Sequence, residues 1–288
     1  MNEVGIETAF LAACHAELQA LKPGNVHVYA EGHRMTVADF EASAKAAAPF
    51  IAAHDMSLGE RIESAVRATW TAVGKNTNLG IILLCAPLAM AAERAQAQGG
   101  AALERLRQPL AEIIFHSTVA DAERAFRAIA LANPGGLGEA EHDVRQPASI
   151  TLYEAMRLAA SRDLIARQYT NSFGEVFGVG YSVLQEGLTR FDDIRWATSL
   201  AYLTLMGSFP DSHIWRKYGR DVACGVRDEA RAFAAMREKT DDPLQCSKPL
   251  IAFDSSLKAR GLNPGAIADL TVATLFVGEL AAKLDRAT

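Results

Sequence analysis

The sequence predicts an all-α fold built as one domain, and three observations carry that prediction. Apolar residues recur at helical spacing, and no stretch alternates apolar with polar as a half-buried strand does. Half of the residues are apolar, yet only 7% are aromatic and alanine is abundant, a composition suited to closely packed helices. Side chains that start helices stand before the periodic stretches repeatedly, at Thr36, Ser57, Thr118, Thr151, Thr189 and Asn263.

In chain order, residues 3–20 form a first helix, stopped by Lys22-Pro23-Gly24 at the head of a turn-rich loop that runs to His27. Thr36-x-x-Asp39 and Ser57-x-x-Glu60 open the next two helices in capping-box form. Gly74-Lys75-Asn76-Thr77-Asn78-Leu79-Gly80 then leads into the most apolar stretch, whose helix ends at Gln98-Gly99-Gly100, and a further helix covers 101–115. Thr118-x-x-Asp121 opens a helix that ends at Asn133-Pro134-Gly135-Gly136, before a loop over 135–147. Thr151-x-x-Glu154 starts one helix carrying Arg157, Arg162, Asp163, Arg167 and Gln168, its arginines a surface face with Asp163 as partner. Residues 171–186 read as a helix whose glycines, Gly174, Gly178 and Gly180, point to close packing or a local break. Thr189-x-x-Asp192 opens a helix to Met206, a short one begins near Asp211, and a charged one covers 223–239. After a loop over 240–249, Asn263 as N-cap and Pro264 at the first helical position open the last helix, to about Leu284. No linker, repeat or low-complexity tract divides residues 1–288.

A net charge of −5 argues against a general nucleic-acid or anionic-membrane partner. Cys14, Cys85, Cys224 and Cys246 are widely spaced and read as small thiols in a reducing compartment, not as metal ligands or disulfides. Glu3 and Glu7 replace the basic start of a signal peptide, and the longest apolar run, Leu79 to Ala92, is too short to span a bilayer. The expectation is a soluble, cytoplasmic protein with no membrane or nucleic-acid partner, and a homodimer stays open.

Five helix junctions concentrate polar chemistry: Lys22/Asn25/His27, Lys75/Asn76/Asn78, His142/Asp143, Asp211/His213/Arg216/Lys217, and Asn263/Asp269. The glycine-bracketed turn before the apolar helix is where an anion can meet free backbone N–H groups, with Lys75 adding charge. Taken singly, each junction reads more simply as a cap or solvated cluster. Together they supply carboxylates for Mg²⁺, cations for phosphates, and His or Asp residues for proton transfer.

At these junctions the sequence resembles the triphosphoribosyl-dephospho-CoA synthase family. The matching segments are Lys22-Pro23-Gly24-Asn25-Val26-His27, Gly74-x-Asn76-Thr77-Asn78-x-Gly80, His142-Asp143-Val144, Asp211-Ser212-His213 with Arg216 and Gly219, and Asn263-Pro264-Gly265 with Ala268-Asp269-Leu270. The resemblance implies an all-α enzyme that moves the triphosphoribosyl group of ATP to the ribose 2′-hydroxyl of 3′-dephospho-CoA and releases adenine. It implies Lys22, Lys75, Arg216 and Lys217 for phosphate and Asn25, Asn76, Thr77, Asn78 and Asn263 for positioning substrate. Asp143, Asp211 and Asp269 are implied for Mg²⁺ or the sugar cation, and His27, His142 and His213 for acid–base work. The citrate-lyase type has Asn-Thr-His-Lys-Gly where this chain has Asn76-Thr77-Asn78-Leu79-Gly80, and an Asp where His27 stands. In those departures the chain is similar to archaeal and one-carbon-metabolism relatives, which makes a methanopterin-type cofactor precursor an alternative acceptor. Two rival readings remain. His142-Asp143 resembles an HD-type metal phosphohydrolase, and the junctions also suit a non-enzymatic nucleotide-binding helical protein.

Overall fold

The computed structural model describes residues 1–95, 100–135, 143–238 and 243–286. Among these the chain forms α1 (Glu3–Gln19), α2 (Val37–Ala52), α3 (Leu58–Val73), α4 (Leu79–Arg94), α5 (Ala102–Phe115), α6 (Val119–Ala132), α7 (Leu152–Ala159) and α8 (Leu164–Thr170). A π-helical turn, Glu175–Gly180, precedes α9 (Tyr181–Phe191), α10 (Ile194–Ser208), α11 (Ser212–Tyr218), α12 (Arg220–Glu238), α13 (Pro243–Ala259) and α14 (Gly265–Arg286). No strand occurs among the described residues; two isolated bridges, His27–Ala30 and Gly32–Met35, shape the loop after α1.

Capping chemistry sets the helix starts as read. Thr36, Ser57, Thr118 and Thr151 each accept a backbone N–H three residues on, and the Asp or Glu at that position reaches back to the cap. Two helices form the centre. α4 buries every residue from Leu79 to Ala92 except Gly80 and Met90, and α14 packs against α1, α4, α10 and the π-helical turn. The succession α1, α2, α3, α6 wraps one side and α9, α10, α12 the other.

Four element readings change. The helix expected over 151–168 is two, because Asp163 accepts the N–H groups of Ile165 and Ala166 and starts α8 itself. The glycine-rich 171–186 segment breaks: Ser172 and Phe173 take left-handed backbone (φ 52° and 58°) before the π-helical turn. Thr189 belongs to the last turn of α9, where its hydroxyl donates to the Gln185 carbonyl, and Asp193 caps α10. The 240–249 loop is helical from Pro243, with 240–242 outside the described residues, because Leu250, Phe253 and Leu257 give α13 a buried face. Gln98, Gly99, Gly136, Glu139, Glu141 and His142 also lie outside the described residues.

Among the described residues, α14 and not α4 is the helix long and apolar enough to cross a membrane by length and composition. Within its most apolar window 72% of residues are buried inside the protein, as expected of a core helix.

Candidate active site

A cavity of about 520 Å³ opens where the ends of α1, α4, α7, α8, α11 and α14 meet. Its wall takes residues from all five polar junctions: Asn25, Asn76 with Thr77, Asp143, His213 with Arg216, and Asn263 with Asp269. The wall also has an apolar part, formed by Phe40, Leu83, Phe126, Ile129, Leu152, Met156 and Ile165. Segments more than 200 residues apart in sequence therefore face one space.

The loop after α1 is built from inside. The Lys22 ammonium is fully buried and donates to the Glu17 carboxylate, to Asn25 Oδ1 (3.1 Å) and to the Val26 carbonyl (2.8 Å). Its three protons are all used within the loop, so the ammonium as placed has none left for the phosphate to which the sequence assigned it. Asn25 in turn donates to Asn263 Oδ1 at 2.8 Å, which ties the start of α14 to the end of α1. Gly24 has φ 83°, and a Cβ there would meet Pro264 Cδ at 2.8 Å, so this junction admits only glycine. His27 is buried beside Asp254 (Nε2–Oδ1 3.4 Å) and takes no part in the cavity wall; burial pulls its pKa down despite that carboxylate.

Asp211 caps α11 with Oδ1 to the Ile214 N–H and holds the Ile267 N–H of α14 with Oδ2, both at 2.9 Å. Burial raises its carboxyl to about 6, partly offset by those two N–H groups. With both oxygens occupied by backbone, Asp211 fixes how α11 meets α14. It thereby aims His213 and Arg216, one turn apart, at the cavity. His213 is kept neutral: burial, then the cations Lys217 and Arg216, lower it to about 3, and its buried Nε2 has no hydrogen-bond partner. Arg216 Nη1 pairs with Asp163 Oδ2, while its buried Nε has no partner.

Asp269 lines the cavity one turn into α14, and no described residue donates a hydrogen bond to its carboxyl. Burial first, then the like charges of Asp211 and Glu17, push it well above the usual carboxylate range. On the same wall, Thr77 Oγ1 shares a hydrogen bond with Ser43 (2.6 Å), and Asn76 Oδ1 accepts the Leu79 N–H at 3.4 Å. Asn78 stands at the N-cap of α4 without making a cap bond, and its buried Nδ2 has no partner. Lys75 points outward and pairs with Asp39 at 2.8 Å.

The cavity wall thus omits Lys22, His27, Lys75, Asn78, Asp211 and Lys217, and His142 lies outside the described residues. It adds three charged residues that the sequence reading did not assign to a site: Glu17, Arg162 and Asp163. Asp163 carried only the signal of a capping residue type, within a stretch whose helical periodicity runs on unbroken. Glu17 and Arg162 carried none, because only tertiary packing turns them toward the junctions. The expected Mg²⁺ set does not converge: no group of three or more His, Cys, Asp or Glu able to hold a metal occurs among the described residues, and Asp211 is committed to backbone. Asp143, which also binds Arg145, stays on the wall. Both of its carboxylate oxygens accept from Arg145, so a cation there would have to share them.

The family model described as ATP:dephospho-CoA triphosphoribosyl transferase (CitG) matches residues 4–287. A crystal structure from Archaeoglobus fulgidus, of a proposed triphosphoribosyl-dephospho-CoA synthase, superposes with a TM-score of 0.64 at 24% identity, over 82% of this chain and 96% of that one. Comparison with curated proteins gives no match.

Proposed function

We propose that this chain, which belongs to the ATP:dephospho-CoA triphosphoribosyl transferase family, carries out that family's transfer in the cavity between α4, α8, α11 and α14. It is a transferase with ATP and dephospho-CoA as substrates. The phosphohydrolase, the scaffold and the methanopterin-type acceptor readings are not favoured. The observation that carries the assignment to this cavity is the arrival of all five polar junctions on one wall.

The C1′–N9 bond of ATP breaks, adenine leaves with the electron pair and gains a proton, and the acceptor's 2′-oxygen bonds to C1′ as its hydroxyl proton is lost. Asp269, raised by burial and neighbouring carboxylates, holds a proton that most carboxyls have released, which suits it to protonate departing adenine. Arg216 and Arg162, on the same wall, meet the triphosphate, with Lys217 next along α11. The neutral His213 offers Nε2 to a substrate hydroxyl, and Asn76, Thr77, Asn25 and Asn263 set sugar and phosphate in register. Mg²⁺ would be held by Asp143 together with the triphosphate oxygens, and bound there it would neutralise phosphate charge.

The test is chromatography for free adenine after incubation with ATP and Mg²⁺, with and without 3′-dephospho-CoA. Adenine that depends on dephospho-CoA is the expected result, and Asp269→Asn should lower it by about 10²-fold or more. Inorganic phosphate without adenine would overturn the reading.

A further inference from the structure

The wall of the cavity contains one contact that explains a residue with no side chain to contribute. Gly80 is the second residue of α4, at the cavity end of that apolar helix, where alanine would be the better helix former. Its Cα faces Asp269 across the junction of α4 and α14. A Cβ built on Gly80 would lie 2.1 Å from Asp269 Oδ2, 2.6 Å from Cγ and 3.2 Å from Cβ. Carbon and oxygen in contact need more than 3 Å, so the carboxyl occupies the volume that any side chain at position 80 would fill. Both residues line the cavity, and no described residue donates a hydrogen bond to the Asp269 carboxyl. The carboxyl therefore packs against the bare Gly80 backbone, in the space that a side chain there would take.

We infer that Gly80 is a positioning residue for the transferase reaction: its missing side chain forms the seat that holds the Asp269 carboxyl at the reacting end of the cavity. The inference rests on the proposed role of Asp269. The carboxyl is the free end of a short side chain, so alanine at position 80 turns it aside without forcing the two backbones apart. The fold then survives while the carboxyl leaves its productive position. A displacement of about 1 Å in a group of this kind can cost about 10²-fold in rate.

Gly80→Ala is to be compared with wild type and with Asp269→Asn for dephospho-CoA-dependent adenine release. The expected result is a fall in kcat of about tenfold or more with KM for ATP changed less than about threefold. The ionisation seen in the wild-type pH–rate profile should also move. Wild-type kcat and an unmoved profile in Gly80→Ala, with Asp269→Asn inactive, would overturn the inference and leave the role of Asp269 standing. Full activity in Asp269→Asn would overturn that role and the inference with it. If Gly80→Ala loses its thermal transition as well as activity, adding Asp269→Ala should restore the melting temperature. Failure to restore it would show that Gly80 acts through some other neighbour, which also overturns the inference.

Discussion

Asp211 and His213 stand two residues apart and respond to pH in opposite directions. Folding raises Asp211 from 3.8 to about 6, so between those values the folded chain keeps a proton that the unfolded chain has released, and this contribution to stability is lost as pH rises through the window. Folding lowers His213 from 6.5 to about 3, so below 6.5 the unfolded chain takes a proton that the folded chain refuses, and stability falls as pH drops. His213→Gln should therefore remove an acid-side loss: relative to the variant, the wild type loses stability steadily as urea titrations move from neutral toward pH 3. An unchanged difference across that range would show that His213 is not held neutral. Asp211→Asn tests the other member. The amide keeps one acceptor but sets an NH₂ against either the Ile214 or the Ile267 N–H, which should cost about 1–3 kcal/mol even though a buried carboxyl is removed. Equilibrium denaturation near neutral pH measures it.

On the scale of elements, the end of α1 and the start of α14 are joined through Glu17, Lys22, Asn25 and Asn263. Lys22→Met would leave Glu17 buried without its partner and should cost about 3–5 kcal/mol in thermal unfolding. A phosphate ligand would instead raise KM for ATP with little change in stability, so the two roles of Lys22 separate cleanly. This residue also marks the limit of the sequence. The all-α class, the capping boxes at Thr36, Ser57, Thr118 and Thr151, and the five junctions were legible because each depends on neighbours within a few positions. The surroundings of Lys22 were not legible: its charge is visible in the sequence, whereas its burial among Glu17, Asn25 and Val26 is a property of the folded loop. The split at Asp163 was missed because helical periodicity continues through it, and only the bonds to Ile165 and Ala166 show that it caps a new helix. The bond from Leu164 N–H to Ser212, together with the Asp163–Arg216 pair, then fixes that helix to α11 across nearly fifty residues of sequence.

For the whole molecule, the consequence of a site assembled from both ends of the chain is that ligand binding and folding are coupled. The wall runs from Glu17 on α1 to Asp269 on α14, so the cavity does not exist unless the N-terminal helices, α11 and the C-terminal helix are all docked. A ligand that binds only this assembled state stabilises the entire fold, by about 2.7 kcal/mol when it is present at a hundredfold excess over its dissociation constant. In a chain of this length that is a rise of several degrees in melting temperature, at about 2–4 °C per kcal/mol. Mg-ATP should produce that rise in the wild type, whereas adenine, without phosphates for Arg216 and Arg162 to meet, should produce far less. Arg216→Lys keeps the charge opposite Asp163 but loses the forked geometry and the Nε donor, which has no protein partner. It should melt within a degree or two of the wild type when free and lose most of the ATP-induced shift. An undiminished shift in that variant would place the triphosphate elsewhere on the wall, with Arg162 the next residue to change.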